Sequence, residues 1–360
     1  MKINYNSGIS FDDLLLIPQK SLLNSRSDVN ISTTLKNNNN SHELFLRIPI
    51  ISSNMDTITG LNMAVAMSKV GGLGILHRFM SIEDNIYILN KSLSTTEPLE
   101  SVGISVGITD YEIERAIKME YTFRKHNRKA VICVDVAHAH SQKCIDAIKK
   151  IKSYYEREYP NMYFIIAGNV ATHDGAKSLW RAGADCIKVG IGSGSVCSTR
   201  VVTGHGLPLA QSIINIRAKS LFPIIADGGI RSSGDIVKAI GLGANAVMIG
   251  RLLAGTSAAE TKNKEGTSHI YRGNSTFEVS GWNQKSRIGI NAIDEGISTE
   301  VEYSGPTENI IYKLCAGIKR GLSYSGASSI ADLQKKAKFT KITHSSYIEG
   351  LPKYKNEQII

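Results

Sequence analysis

The chain has 360 residues, of which 42% are hydrophobic, 21% charged and 7% aromatic. This is an ordinary globular composition, and it excludes collagen-like repeats, long disordered tails and a small disulfide scaffold. Lys and Arg (42) exceed Asp and Glu (32) to give a net charge of +10, which favours an anionic partner without choosing among nucleic acid, membrane and a phosphorylated metabolite.

Residues 1–47 read as an N-terminal arm, with the polar run NNNNSH (37–42) expected as a surface loop. Eight β-branched or apolar runs follow: 48–55, 71–76, 102–108, 130–137, 163–170, 185–191, 222–229 and 245–250. Continuous apolar runs of this kind are strands buried on both faces. Stretches with helical spacing lie between most of them, for example SQKCIDAIKKIKSYYERE (141–158) and SSGDIVKAIGLGA (232–244). Strand and helix alternating eight times predict an α/β fold, a (β/α)8 TIM barrel forming one domain over 1–360. A doubly wound sheet is the alternative. After the eighth run, residues 256–304 are long and polar, carry SGWNQKSR (280–287), and are expected to form a mobile flap on the C-terminal face of the barrel. A helix is predicted over 306–322. The Lys-rich tail 331–360 is expected on the surface or docked on a neighbour.

Five cysteines, Cys133, Cys144, Cys186, Cys197 and Cys315, include no Cys-x-x-Cys pair, so neither a zinc ribbon nor a thioredoxin-like site is present. The odd count, the N-terminus without a long apolar segment and the lack of any apolar stretch near ~18 residues predict a cytoplasmic protein away from membranes.

The most informative segment runs from Lys188 to Arg200, KVGIGSGSVCSTR. Gly190, Gly192 and Gly194 allow a sharp turn and close approach of backbone to a ligand. Cys197 follows at once, flanked by Ser195, Ser198 and Thr199, with a cation at Arg200; such surroundings favour a reactive thiolate. A single cysteine is more often a small buried hydrophobe, and the other four keep that reading. Asp227-Gly228-Gly229 after the seventh run and Gly250-Arg251 after the eighth stand where barrels often bind phosphate. Asp227 repels phosphate but can accept hydrogen bonds from a ribose diol. Phosphate with ribose suggests a nucleotide, and two structural glycine turns are the plainer alternative. Asp135 could hold a second ribose or cap a helix. Arg78 could meet an anionic group or a surface carboxylate. Glu295 could be a general acid or base, or simply solvated. His138 and His140 lack a third ligand nearby and make a poor metal site.

These segments resemble the inosine monophosphate dehydrogenase / guanosine monophosphate reductase family over nearly the whole chain. FDDLLLIP (11–18), NMDT (54–57), AGNVAT (167–172), GADCIKVGIGSGSVCSTR (183–200), IADGGIRSSGDI (225–236) and VMIGRLLAGT (247–256) carry the likeness. The resemblance implies a TIM barrel, usually a homotetramer, that binds a purine 5′-monophosphate and a nicotinamide cofactor, with neither nucleic acid nor membrane as partner. It implies Cys197 as nucleophile with Thr199 and Glu295 as proton donors. It matches Ser195, Asp227, Gly228, Gly229, Gly250 and Arg251 to substrate phosphate and ribose. Asp135, Val136, Ala137, Arg78, Ser25 and Arg26 match the cofactor side. The carbonyls of Gly192, Gly194 and Cys197 match a monovalent cation site, K+.

Two branches are open. Only about 25 residues separate LHRF (76–79) from VGISVGI (102–108), so the regulatory CBS insertion usual in the dehydrogenases is absent. The dehydrogenase flap also carries an Arg-Tyr pair; here Arg287 is followed by Ile288, and no such pair occurs between 256 and 304. NSRS (24–27) and ILHRF look like the reductases, whereas VAHAHS (136–141), RVVTGHG (200–206) and GGIRSSGD read like the dehydrogenases. One reductase pattern has an Arg shortly before the Glu-Gly, where this chain has Ala292-Ile293-Asp294. The expectation is an NADPH-dependent GMP reductase, with an NAD-dependent IMP dehydrogenase as alternative.

Overall fold

The computed structural model describes residues 8–37, 42–97, 101–261, 268–276, 279 and 295–352. The arm begins with a 3-10 turn, Phe11–Asp13, and a short strand β1 (Leu14–Leu16). A second 3-10 turn, Arg26–Asp28, precedes the hairpin β2 (Thr33–Lys36) and β3 (Glu43–Leu46). The alternating part then runs β4 (Ile50–Ser52), α1 (Leu61–Lys69), β5 (Leu73–Leu76), α2 (Ile82–Thr95), β6 (Ser101–Val106), α3 (Asp110–Lys125), β7 (Ala130–Asp135) and α4 (Gln142–Glu158). It continues with β8 (Tyr163–Val170), α5 (His173–Ala182), β9 (Cys186–Val189), α6 (Thr199–Thr203), α7 (Leu209–Arg217), β10 (Ile224–Asp227), α8 (Ser233–Gly241), β11 (Ala246–Ile249) and α9 (Arg251–Ala254). All eight apolar runs become strands, β4 to β11. They pair in parallel, and β11 closes on β4 to complete the barrel.

The loops after the strands end in good N-caps. Ser81, Thr109, Ser141, Thr172 and Ser232 each accept an amide hydrogen at the start of α2, α3, α4, α5 and α8, satisfying a donor the helix would otherwise leave open. Inside the barrel, Ile51, Leu73, Ile75, Val131, Phe164, Ile166, Ile225 and Met248 are packed together. Leu35, Leu44 and Leu46 of the β2–β3 hairpin join the same cluster and so close the N-terminal end of the barrel.

The run NNNNSH, expected as a surface loop, is tied to the barrel at its two ends. Its middle lies outside the described residues, but Asn37 and His42 are buried. Both bond the Asp185 carboxylate, at 2.9 and 3.2 Å. Asp185 is fully buried, and a buried carboxylate needs such partners.

Beyond the barrel, β12 (Ser268–Arg272) and β13 (Ser298–Glu302) form an antiparallel hairpin in the flap region. The long helix α10 (Thr307–Tyr324) follows, then α11 (Ile330–Lys336), β14 (Phe339–Lys341) and α12 (His344–Glu349). The tail docks on its own chain: β14 pairs antiparallel with β1, Leu16 opposite Phe339. Among the described residues no helix is long and apolar enough to cross a membrane.

Candidate active site

The C-terminal ends of the barrel strands and the loops leaving them enclose an open cleft of about 300 Å³, the small end of the range for small-molecule sites. The loop after β9 forms one wall. Gly190 (φ +147°) and Gly228 (φ +89°) must be glycine: a Cβ on the first would lie 2.0 Å from the Asp227 carbonyl oxygen, and one on the second 2.7 Å from Ser193 Oγ. The loops after β9 and β10 therefore lie directly against each other, and the Ser193 hydroxyl donates to the Asp227 carbonyl at 3.0 Å.

This packing presents Cys197 to solvent, while Cys133, Cys144 and Cys186 are buried and Cys315 is half-buried. The Cys197 amide donates to the Gly194 carbonyl at 3.2 Å. Cys197 Sγ is 3.1 Å from Thr199 Oγ1, and the Thr199 hydroxyl donates to Glu295 Oε2 at 2.8 Å. Glu295 is fixed through its backbone: its carbonyl accepts from the Ser198 amide at 3.0 Å, and its amide donates to the Ser275 carbonyl at 3.2 Å. Three side chains that stand up to 98 residues apart thus meet in one line. Having given its hydrogen to Glu295, the Thr199 oxygen can accept from the thiol.

The floor of the cleft is polar and tightly bonded. Lys188 Nζ lies 2.6 Å from Asp135 Oδ1 and 2.5 Å from Asp227 Oδ2. It also meets Asn169 Oδ1. Asn169 donates to Asp227 Oδ2 and to the Gly190 carbonyl, at 2.8 and 2.7 Å. Asn54 donates to Asp135 Oδ2 at 2.9 Å. Burial opposes the charge on Lys188, but Asp135 and Asp227 outweigh it and hold the ammonium firmly protonated. Burial likewise opposes the charge on Asp135. Lys188 outweighs it, helped by Asn54 and Arg78, so Asp135 sits below the usual carboxylate range.

A third region gathers Ser195, Gly228, Gly229, Gly250 and Arg251 along the cleft wall. The flap hairpin contributes Tyr271, which is buried. Its hydroxyl is 3.2 Å from Ser195 Oγ and takes the Arg251 amide. Burial raises the phenol above its usual range, so it stays a neutral hydrogen-bonding group.

Most of the residues singled out from sequence converge here. Cys197, Thr199, Glu295, Ser195, Asp227, Gly228, Gly229, Gly250, Arg251, Asp135, Val136, Ala137, Gly192 and Gly194 all line the one cleft. Arg78 does not line it; its guanidinium is 3.8 Å from Glu112 and lies over the Phe79 ring. Ser25 caps the second arm turn, and Arg26 lies 6.0 Å over the Tyr324 ring of α10. Neither is a cleft residue. Among the described residues no group of three or more His, Cys, Asp or Glu is placed to hold a metal ion. The loop carbonyls expected to hold K+ are oxygen donors of the kind a hard cation takes, and that of Gly194 already accepts the Cys197 amide. SGWNQKSR and Arg287 lie outside the described residues.

Sequence reading missed Lys188, Asn169, Asn54 and Tyr271. Only Lys188 left a usable signal, a charged residue within the apolar run DCIKVGI.

Comparison with known proteins accords with this arrangement. The family model described as IMP dehydrogenase / GMP reductase domain matches residues 8–353. An inosine-5′-monophosphate dehydrogenase of Borreliella burgdorferi is 36% identical over an alignment of 406 residues, covering 96% of each chain. A GMP reductase of Onchocerca volvulus is 32% identical over 343 residues, covering 94% of this chain and 92% of its own. A solved structure of a cysteine-to-alanine variant of Trypanosoma brucei GMP reductase with guanosine 5′-monophosphate superposes with a TM-score of 0.83 and 28% identity. It covers 96% of this chain and 98% of that one. With the family model matching nearly the whole chain and relatives above 30% identity covered almost end to end, the chain belongs to the IMP dehydrogenase / GMP reductase family.

Proposed function

We propose that the chain is a GMP reductase, which uses NADPH to convert GMP to IMP and ammonia. The observation that carries this reading is the line from Cys197 through Thr199 to Glu295, because reductive deamination needs a nucleophile and a proton donor side by side. The Cys197 proton passes through Thr199 to Glu295, and the thiolate bonds C2 of the guanine. The C2–N bond to the exocyclic amine breaks, and the same relay returns the proton so that ammonia leaves. The nicotinamide co-substrate supplies hydride to C2. The C2–S bond then breaks, releasing IMP and regenerating the thiolate, which is both a good nucleophile and a good leaving group.

Asp227 would accept the ribose hydroxyls of the substrate. Ser195, Gly228, Gly229, Gly250, Arg251 and Tyr271 would surround its phosphate. Asp135, with Val136 and Ala137, would face the co-substrate. A monovalent cation on the carbonyls of Gly192, Gly194 and Cys197 would steady the loop that carries the thiolate. The working form is a cytoplasmic homotetramer. Arg78, Ser25 and Arg26 remain proposed for the co-substrate side, although they stand outside the cleft of a single chain.

The second reading is an IMP dehydrogenase without CBS modules, favoured by the 36% identity to the Borreliella enzyme. Against it, the sequence lacks an Arg-Tyr pair over 256–304, so the water attack that would release xanthosine monophosphate lacks its usual activating residues. Absorbance at the nicotinamide band separates the two. GMP with NADPH should lose absorbance and release ammonia. Gain of absorbance with IMP and NAD alone would overturn the reductase reading.

A further inference from the structure

We infer that Lys188 is a positioning residue that joins Asp135 and Asp227 into one unit, so that substrate and co-substrate binding depend on the same ammonium. The inference rests on the purine-nucleotide reading above and concerns a residue to which that reading gives no role.

Lys188 stands on β9 between two carboxylates, from the ends of β7 and β10. Its side chain is 3% exposed. An ammonium has three hydrogens, and three acceptors take them: Asp135 Oδ1 at 2.6 Å, Asp227 Oδ2 at 2.5 Å, and Asn169 Oδ1. Lys188 is therefore fully engaged with protein and acts on ligands only through its partners. Asn54 bonds the other oxygen of Asp135 at 2.9 Å, which fixes the plane of that carboxylate. Lys188 and Asn169 both engage Oδ2 of Asp227, which leaves Oδ1 for a sugar hydroxyl.

Charge explains why a cation is needed at this point. Two carboxylates in a low-dielectric floor cannot both stay ionised without one, because each disfavours the charge on the other. If one took up a proton, it would present a donor where a ribose diol needs an acceptor. Lys188 opposes this at Asp135, which it holds below the usual carboxylate range, and the same ammonium fixes Asp227 through a 2.5 Å ion pair.

The test uses the full chain with Lys188→Met and Lys188→Arg. GMP and IMP affinity is measured by calorimetry, the co-substrate by its KM with whichever pair turns over, and folding by thermal melting. The Met variant should bind purine monophosphate and co-substrate more weakly by about ten- to a hundredfold each. The Arg variant, which keeps the charge and can reach both carboxylates, should stay within about threefold of wild type. A Met variant that melts earlier or loses kcat while both affinities hold would mean a purely structural role and overturn the proposal. Loss of only one affinity would overturn it as well. Should the Met variant fail to melt cooperatively, Lys188→Gln is read by the same criteria. Wild type that binds purine monophosphate but turns over only IMP with NAD would sink the reductase reading and leave this proposal intact.

Discussion

The Thr199 hydroxyl donates to the Glu295 carboxylate at 2.8 Å while standing 3.1 Å from the Cys197 thiol. Thr199 opens α6, which follows the loop after β9, and Glu295 comes from the far end of the flap region, so the proton path exists only when the two segments are in contact. Thr199→Val and Glu295→Gln should each lower kcat by about a hundredfold or more, with the KM for GMP little changed. The double variant should be no worse than the poorer single one, since the two act as a unit. Steady-state kinetics checks this, and losses that simply add would show that the two side chains work independently.

Arg272 on β12 forms an ion pair with Asp56 in the loop after β4, with Nε 2.9 Å from Oδ2. The neighbouring Tyr271 carries the hydroxyl beside Ser195. Loosening the pair should therefore displace that hydroxyl. Asp56→Asn is expected to weaken GMP binding by about tenfold and to leave the co-substrate KM unchanged. Equal effects on both ligands would mean that Asp56 holds the whole cleft and not the flap strand.

His77 is buried, with Asp56, Arg115 and Arg272 acting on its charge. Burial pulls its pKa from the ordinary 6.5 down to about 4. Above pH 6.5 the ring is neutral in both folded and unfolded chains and adds no pH dependence. Between pH 6.5 and about 4 the unfolded chain takes up a proton that the folded protein refuses, so stability falls as pH falls, by up to about 1.4 kcal/mol per unit. His77→Gln should flatten the decline of melting temperature over that window. Parallel curves for the two proteins would rule this out.

The tail holds the arm in place through β14. Phe339 also lies against α8, where a Cβ on Gly241 would come 3.1 Å from its ring. Ending the chain after Lys336 should remove this support and lower the melting temperature by about 5 °C. Scanning calorimetry reads the change, and an unaltered melting temperature would show that the arm stands without the tail.

The barrel was readable because its strands are buried and largely apolar on both faces, as in AVICVD at β7, so no periodicity had to be resolved. The thiol loop was readable because glycine, serine and cysteine crowd together where a core would place larger side chains. The floor of the cleft was not. Asp135, Asn169, Lys188 and Asp227 lie on four successive strands, and only the pairing of those strands, each separated in sequence by a crossover, makes them neighbours. Tyr271 reads as one aromatic residue in a polar segment until the hairpin brings it to Ser195. The buried ends of NNNNSH were not legible because their partner, Asp185, is 143 residues from His42.

The pairing of β1 with β14 also orders events in time. On the ribosome, Leu14–Leu16 emerges long before Phe339–Lys341 exists, so the early strand waits as an open edge while eight barrel units are made. Non-local pairings of this kind are slow to form, and an unpaired edge can recruit the wrong strand. The Asp12–Arg231 ion pair, which fastens the same arm to the loop after β10, can form before the tail is complete. It offers a provisional anchor, with the last strand made serving as the latch.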